Sequence, residues 1–213
     1  PVRIAYLQSD IHQLPSWVAL EKGFFEKEGV PVTVAGIFKA GPELMSGFSA
    51  GALDMGYVGA APVITAVANK AADVVMLAQV NTEGTVIVVK KDGGIRNLGD
   101  LRAKTVAIPG FSTVQDALVR KALTKQNIDS EKQKTIVLKP PEMISALRSG
   151  QIDGFVAWEP FPAKAVSLGI GEALLSSRDI WPDHPCCVLV ASRNFLAKNE
   201  KQARKIVRAH MKA

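Results

Sequence analysis

Short apolar runs alternate along this chain with longer stretches of helical spacing. Val2–Leu7 carries a buried-strand pattern, and residues 32–34, residues 55–58 and Val74–Gln79 repeat it. Between them, helical patterns run from Pro15 to Gly23, from Pro42 to Gly51 and over residues 61–70, with proline near the start or glycine at the stop. A short helical turn over residues 24–29, closed by Gly29, precedes the second strand. Alternation of this kind predicts βαβ units and a largely parallel sheet. Asn81-Thr-Glu-Gly84 breaks the rhythm, and Thr85–Lys90 is a β-branched run closed by the surface turn Lys91-Asp-Gly-Gly94. Thr105–Ile108 and residues 135–138 are further strands, with a helix ending at Lys125 between them. Residues 176–185 are loop-rich, residues 186–191 form a strongly apolar strand, and helices follow from about Asn194.

One unit of this pattern occurs twice. Residues 45–62 and 144–160 align at a shift of 99 positions, which sets Ser46 on Ser145, Gly51 on Gly150, Leu53 on Ile152 and Asp54 on Asp153. In both copies a helix ends at glycine, an apolar-Asp pair leads into a buried strand, and a proline opens the next helix. Two similar units imply two α/β lobes. The extended segments near 80–86 and 184–191 cross between them, so the expected division is 1–83 with 188–213 as one lobe and 84–187 as an inserted second lobe. With no linker-like segment, the connection reads as a double-stranded hinge.

Composition adds limits. A hydrophobic share of 47% beside 22% charged residues supports a buried core, and no apolar run is long enough for a membrane span. The chain opens directly on strand, without a leader pattern, and so reads as a mature or trimmed sequence. The net charge of +6 is spread along the chain except over residues 198–212, an amphipathic helix. With 6% aromatic residues and no recognisable module, nucleic acid is not an expected partner, while an anion would be favoured. Cys186 and Cys187 are adjacent. In a strand they point to opposite faces, so two thiols are expected, at least one of them buried. Three histidines without H-E-x-x-H or C-x-x-C spacing predict no metal site. Glycine-rich phosphate loops and a G-x-S-x-G elbow are absent too, so recognition is expected and catalysis is not.

In open α/β sheets ligands bind beyond the carboxyl ends of strands, near helix N-termini. That rule selects residues 8–14, 39–43, 59–62, 81–83, 110–114 and 158–160, with the first loop polar and free to face a cleft. Pro109-Gly-Phe-Ser-Thr113 offers a close backbone approach, two hydroxyls and a helix start suited to an anion. Taken alone, Ser112 or Thr113 more commonly just caps its own helix; the matching Gly59-Ala60-Ala61-Pro62 loop shifts the reading toward a shared cleft. Trp158 is equally a core residue or a cleft wall, and Glu159 a favourable first-turn acid.

Gly23-Phe-Phe-Glu-Lys-Glu-Gly29, Gly41-Pro42, Gly51-Ala-Leu-Asp-Met-Gly-Tyr-Val-Gly-Ala-Ala-Pro62, Ala157-Trp-Glu-Pro160 and Cys187-Val-Leu-Val-Ala-Ser192 resemble the nitrate/sulfonate/taurine-type solute-binding proteins of ABC importers, a group that includes thiamine-pyrimidine-synthesis proteins. The resemblance implies a type II periplasmic-binding fold that closes on a small, anionic or zwitterionic solute and presents it to a membrane permease. It implies an exported monomer, periplasmic or lipid-anchored, with no cofactor and no catalytic residue. The implied contacts are Gln8, Ser9, Asp10, Gly41, Pro42, Tyr57, Gly59, Ala60, Asn81 and Thr82 on the first lobe, with Phe111, Ser112, Thr113 and Trp158 on the second. Members of the group continue with further C-terminal helices. Three alternatives stay open: binding of a pyrimidine or thiamine precursor, a sensory ligand-binding domain, and an enzyme. A desulfinase would need a reactive cysteine in the cleft, whereas Cys186 and Cys187 fall in the hinge-region strand, and the iron-linked pyrimidine synthases carry a denser cysteine cluster.

Overall fold

The computed structural model describes residues 1–130 and 133–213. In chain order the strands are β1 (Val2–Leu7), β2 (Val32–Phe38), β3 (Met55–Gly59), β4 (Val74–Gln79), β5 (Thr85–Lys90), β6 (Thr105–Ile108), β7 (Lys134–Val137), β8 (Gly154–Trp158), β9 (Gly171–Ser176) and β10 (Cys187–Ser192). The helices are α1 (Leu14–Glu21), α2 (Phe24–Lys27), α3 (Gly41–Ser49), α4 (Ala60–Ala68), α5 (Val114–Lys125), α6 (Pro140–Ser149), α7 (Phe161–Ser167), α8 (Ser177–Ile180) and α9 (Arg193–Lys212). Contacts divide the chain into two units, Pro1–Thr82 with Pro185–Ala213, and Glu83–His184. The chain leaves the first unit once and returns once.

Each unit is built on one five-stranded mixed sheet. The orders are β2-β1-β3-β10-β4 and β7-β6-β8-β5-β9. In the first, β1 runs parallel to β2 and β3 while β10 runs antiparallel to β3 and β4. In the second, β6 runs parallel to β7 and β8 while β5 runs antiparallel to β8 and β9. The two orders correspond strand for strand, so the α/β two-sheet expectation holds, with one antiparallel strand crossing each sheet beside its parallel core. The edge strand β9 is the strand that the apolar pattern did not announce, and the short helix α8 lies in the stretch expected to be loop-rich. Gly-Glu-Ala-Leu-Leu-Ser is only partly buried, so neither strict alternation nor a continuous apolar run marks it.

The repeated aspartate explains why both copies fold alike. The Asp54 carboxylate accepts the Arg3 backbone N–H at 2.8 Å, and the Asp54 N–H donates to the Arg3 carbonyl at 2.9 Å. Asp153 does the same to Thr105, with both contacts at 2.8 Å. Each aspartate therefore binds the first or second residue of the strand that its own strand will flank, and sets the parallel register there. The glycines that end the preceding helices sit in the left-handed region, Gly51 at φ 69° and Gly150 at φ 77°.

The helix-covered face of the first sheet is closed by α9. Its buried side chains Phe195, Ala203, Ile206 and Ala209 pack with Phe25, Met55, Tyr57 and Leu189. The opposite face of α9 is basic, and Arg208 and Lys212 both pair with Glu28. His210 turns inward instead. Its ring lies 5.7 Å from that of Tyr57, and its Nε2 donates to the Gln79 carbonyl at 3.2 Å, which makes Nδ1 the unprotonated nitrogen. Nδ1 is buried with no hydrogen-bond partner among the described residues. Burial accordingly holds the His210 pKa below its ordinary 6.5.

A histidine with a lowered folded-state pKa stabilises the fold above its unfolded value, and that contribution is lost as pH falls below it. Thermal melts taken from about pH 8 down to about pH 5 should show a falling melting temperature, with part of the slope removed in His210→Gln. A variant melting profile parallel to that of the parent chain would refute this role for His210.

Candidate functional site

The sequence-selected residues of the first unit gather at the carboxyl ends of β1, β3 and β4 and at the start of α3. Gln8 and Ser9 are exposed beyond β1, with Ser9 at φ 51°. Gly41 and Pro42 begin α3, and Gly59 and Ala60 join β3 to α4. These two loops are in contact. A Cβ on Gly41 would stand 2.6 Å from Pro62 Cγ, a spacing that only glycine tolerates. The glycine thus lets two helix N-termini approach each other. Asn81 and Thr82 follow β4 and tie it to the returning chain. The Asn81 Oδ1 accepts the Cys187 N–H at 2.9 Å, its carbonyl accepts the Cys186 N–H at 3.1 Å, and Thr82 bridges Pro185.

Tyr57 does not belong with this group. It is fully buried among Met55, Leu189 and Ile206, two residues before β3 ends, and burial pushes its hydroxyl pKa up. Strand alternation turns its ring into the core beneath α9.

The loop after β1 also corrects an expectation. It is not a free polar loop, because residues Ile11–Gln13 form a 3₁₀ turn that carries Asp10, His12 and Gln13 into the interior. Asp10 caps this turn by accepting the His12 N–H at 3.0 Å. Gln13 donates to Asp10 Oδ2 at 3.1 Å and accepts the Leu7 N–H at 2.7 Å. Cys186 and Cys187 meet the same turn. The Cys186 Sγ lies 3.3 Å from His12 Nδ1, and the Cys187 Sγ lies 3.9 Å from both Asp10 Oδ2 and Gln13 Nε2. The two thiols were expected on opposite faces of a strand. Strand β10 starts only at Cys187, so alternation does not govern Cys186, and both side chains are buried against one cluster. Burial pushes the Asp10 carboxyl up to about 7, while His12 pulls it back. The Cys186 thiol and burial together hold the Cys187 pKa well above its usual value.

In the second unit, Phe111 is exposed and Ser112 sits at φ 62° before α5. Thr113 caps α5 by accepting the Asp116 N–H at 3.2 Å, and its hydroxyl donates to the Gly110 carbonyl at 2.7 Å. The Asp116 carboxylate accepts the Ser112 N–H at 2.9 Å and pairs with Arg120. A protein carboxylate therefore already uses part of this helix start, which is the capping role of Thr113 in full. Trp158 ends β8 opposite Thr85 and is 3% exposed, stacked edge-on against Phe161. Its indole N–H is buried with no partner among the described residues.

Two local consequences follow from this geometry. Gly41→Ala must displace the Pro62 ring, so it should destabilise by about 1–3 kcal/mol, read as a lower denaturant midpoint. An unchanged midpoint would mean that the α3–α4 contact relaxes freely. Thr113→Val removes the cap of α5 and should cost about 1 kcal/mol in the same measurement, and a cost near zero would contradict the capping role.

Comparison with known proteins agrees with the sulfonate- and nitrate-type motifs. A Brucella abortus (strain 2308) relative assigned as a binding protein is 28% identical over 210 residues, covering 97% of this chain and 64% of the relative. The chain thus spans about two thirds of the length of such relatives. The alkanesulfonate-binding protein SsuA of Xanthomonas axonopodis pv. citri, solved with MOPS bound, superposes with a TM-score of 0.88 at 20% identity, covering 98% of this chain and 71% of that one. The periplasmic nitrate-binding protein NrtA of Synechocystis PCC 6803 does so with a TM-score of 0.86 at 20% identity, over 99% of this chain and 60% of that one. These likenesses establish the two-sheet α/β fold of periplasmic binding proteins, and each of the three proteins just described is named a binding protein. The model of the NMT1-like family matches residues 1–213, and the chain belongs to that family.

Proposed function

We propose that this chain is the solute-capturing part of an extracytoplasmic binding protein serving an ABC importer. Its solute is small and anionic or zwitterionic: a sulfonate, taurine, nitrate or a related compound. The observation that carries this reading is the duplicated sheet, which twice sets helix starts and loops beyond the carboxyl ends of a parallel strand pair, inside a family-wide match. The relatives' names supply the solute class, since an alkanesulfonate and nitrate are what the two structural neighbours bind.

In this reading Gln8, Ser9, Gly41, Pro42, Gly59, Ala60, Asn81 and Thr82 supply contacts from the first unit. Phe111, Ser112, Thr113 and Trp158 supply them from the second. The Trp158 indole N–H is a ready donor, because a buried donor without an acceptor costs about 1–3 kcal/mol that a solute oxygen or a water would recover. Asn81 and Thr113 already spend their side chains on the fold, so they hold the backbone of the site in place. The two crossings, at Thr82–Glu83 and His184–Pro185, are the hinge, and contacts made only in the closed form shift the population toward it. The membrane permease is the partner of that closed form. The protein works as a monomer outside the cytoplasm, in the periplasm or on a lipid anchor.

A thermal-shift panel of sulfonates, taurine, nitrate, bicarbonate and aminopyrimidines tests the proposal. At about 100 times its dissociation constant, the right solute should stabilise the chain by about 2.7 kcal/mol, a melting shift of roughly 5–10 °C. Stabilisation by an aminopyrimidine alone would replace the anion reading with the pyrimidine one. No shift with any compound would overturn the solute class.

A further inference from the structure

The buried cluster at the junction of the 3₁₀ turn and β10 plays no part in that reading. The ligand atoms of His12, Cys186 and Cys187 all lie within 4.8 Å of one another. The Asp10 carboxylate stands beside this group without joining it: its Oδ1 is 3.5 Å from His12 Nδ1, and its other oxygen, Oδ2, is 3.9 Å from Cys187 Sγ. From these residues we propose that His12, Cys186 and Cys187 form a three-ligand binding site for a soft, thiophilic metal ion of the zinc(II) type, with Asp10 as a neighbouring carboxylate, a site separate from solute capture.

The argument is geometric first. Zinc–sulfur bonds of about 2.3 Å and zinc–nitrogen or zinc–oxygen bonds of about 2.0–2.1 Å put the corners of a tetrahedron about 3.3–3.8 Å apart. The 3.3 Å between Cys186 Sγ and His12 Nδ1 falls at the short end of that range, and Cys187 Sγ, within 4.8 Å of both, comes into it by side-chain adjustment. Two thiolates with an imidazole favour a soft d¹⁰ ion over magnesium or calcium, which take oxygen ligands.

Burial and charge agree with the geometry. The four residues are each 7% exposed or less, so three acidic side chains share an interior with one imidazole. A divalent ion would compensate the two thiolates in that interior. Outer partners are already in place. The Gln13 amide is held by the Leu7 N–H and directs its own N–H groups at Asp10 and Cys187, while the Cys187 backbone is fixed by Asn81. Ile11 and Leu14 on either side of the turn are about half exposed, which leaves the cluster a single turn below the surface. On binding, each thiol gives its proton to the buffer and its sulfur lone pair to the metal, with no change of oxidation state.

The test uses the full chain, stripped by chelator and kept under a non-thiol reductant, titrated with zinc(II) and then with cadmium(II). One equivalent should bind, with proton release that grows as the buffer pH is lowered toward neutrality. Cadmium should raise a thiolate-to-metal charge-transfer band in the ultraviolet, and zinc should protect both thiols from a disulfide reagent. Cys186→Ser and Cys187→Ser should each weaken binding by more than about 100-fold, beyond the loss typical of an outer-shell partner. The charge-transfer band of the unmodified chain needs no variant, so the test stands even if a serine variant fails to fold. Absence of stoichiometric binding, absence of the band, or undiminished binding by a folded double serine variant would each overturn the proposal. Solute-induced stabilisation, measured separately with chelator present, keeps the two readings apart: a chain that binds its solute and no zinc sinks only the metal site.

Discussion

The two sheets rest on one small arrangement made twice, an aspartate held by both of its hydrogen-bonding ends against the backbone of a neighbouring strand. A carboxylate accepting an N–H is a charge-assisted bond, and returning its own N–H to the same residue's carbonyl leaves little freedom of register. Asp54 holds Arg3 in this way and Asp153 holds Thr105. From there the order of events along each strand is set. Ile4 faces Met55 and Ala5 faces Gly56 in one sheet, and Val106 faces Gly154 and Ala107 faces Phe155 in the other. Slipping either pair by one residue would exchange the two faces of β3 or β8, both of which are packed, and so misfit every side chain on them.

This is also why so much of the architecture could be read from the chain alone. The Gly-x-apolar-Asp signature is local, and its recurrence announces a second sheet of the same design without any knowledge of contacts. Helix stops at Gly51 and Gly150 are local for the same reason, because only the backbone of the next residue or two decides them. What could not be read is what depends on side chains meeting from afar. His12 and Cys186 are 174 positions apart, and neither spacing nor periodicity relates them. Spacing rules for metal sites look for neighbours in sequence, and here only the two cysteines are neighbours.

The candidate rim shows an intermediate case. Residue type and strand-end position selected Gly41 and Gly59, whose loops touch in the structure. The same logic over-selected Tyr57, because a motif covers a strand continuously while the strand alternates between its faces. Thr113 shows a second kind of overlap, in which the features that would attract an anion to a helix start are the ones that let a threonine and an aspartate cap it. A helix start with its own carboxylate bound is less electropositive than an open one. In the proposed function, recognition then falls more heavily on neutral donors such as the Trp158 indole.

Strand β10 sits between β3 and β4, and without it β4 has no partner in the first sheet. The first unit is therefore discontinuous in sequence, whereas the second is one uninterrupted run. A chain emerging from the ribosome can finish the second unit while the first still lacks an inner strand and the helix that covers its core. The half that is made earliest is the half that is completed last, and until then the apolar faces of β1 and β3 remain uncovered.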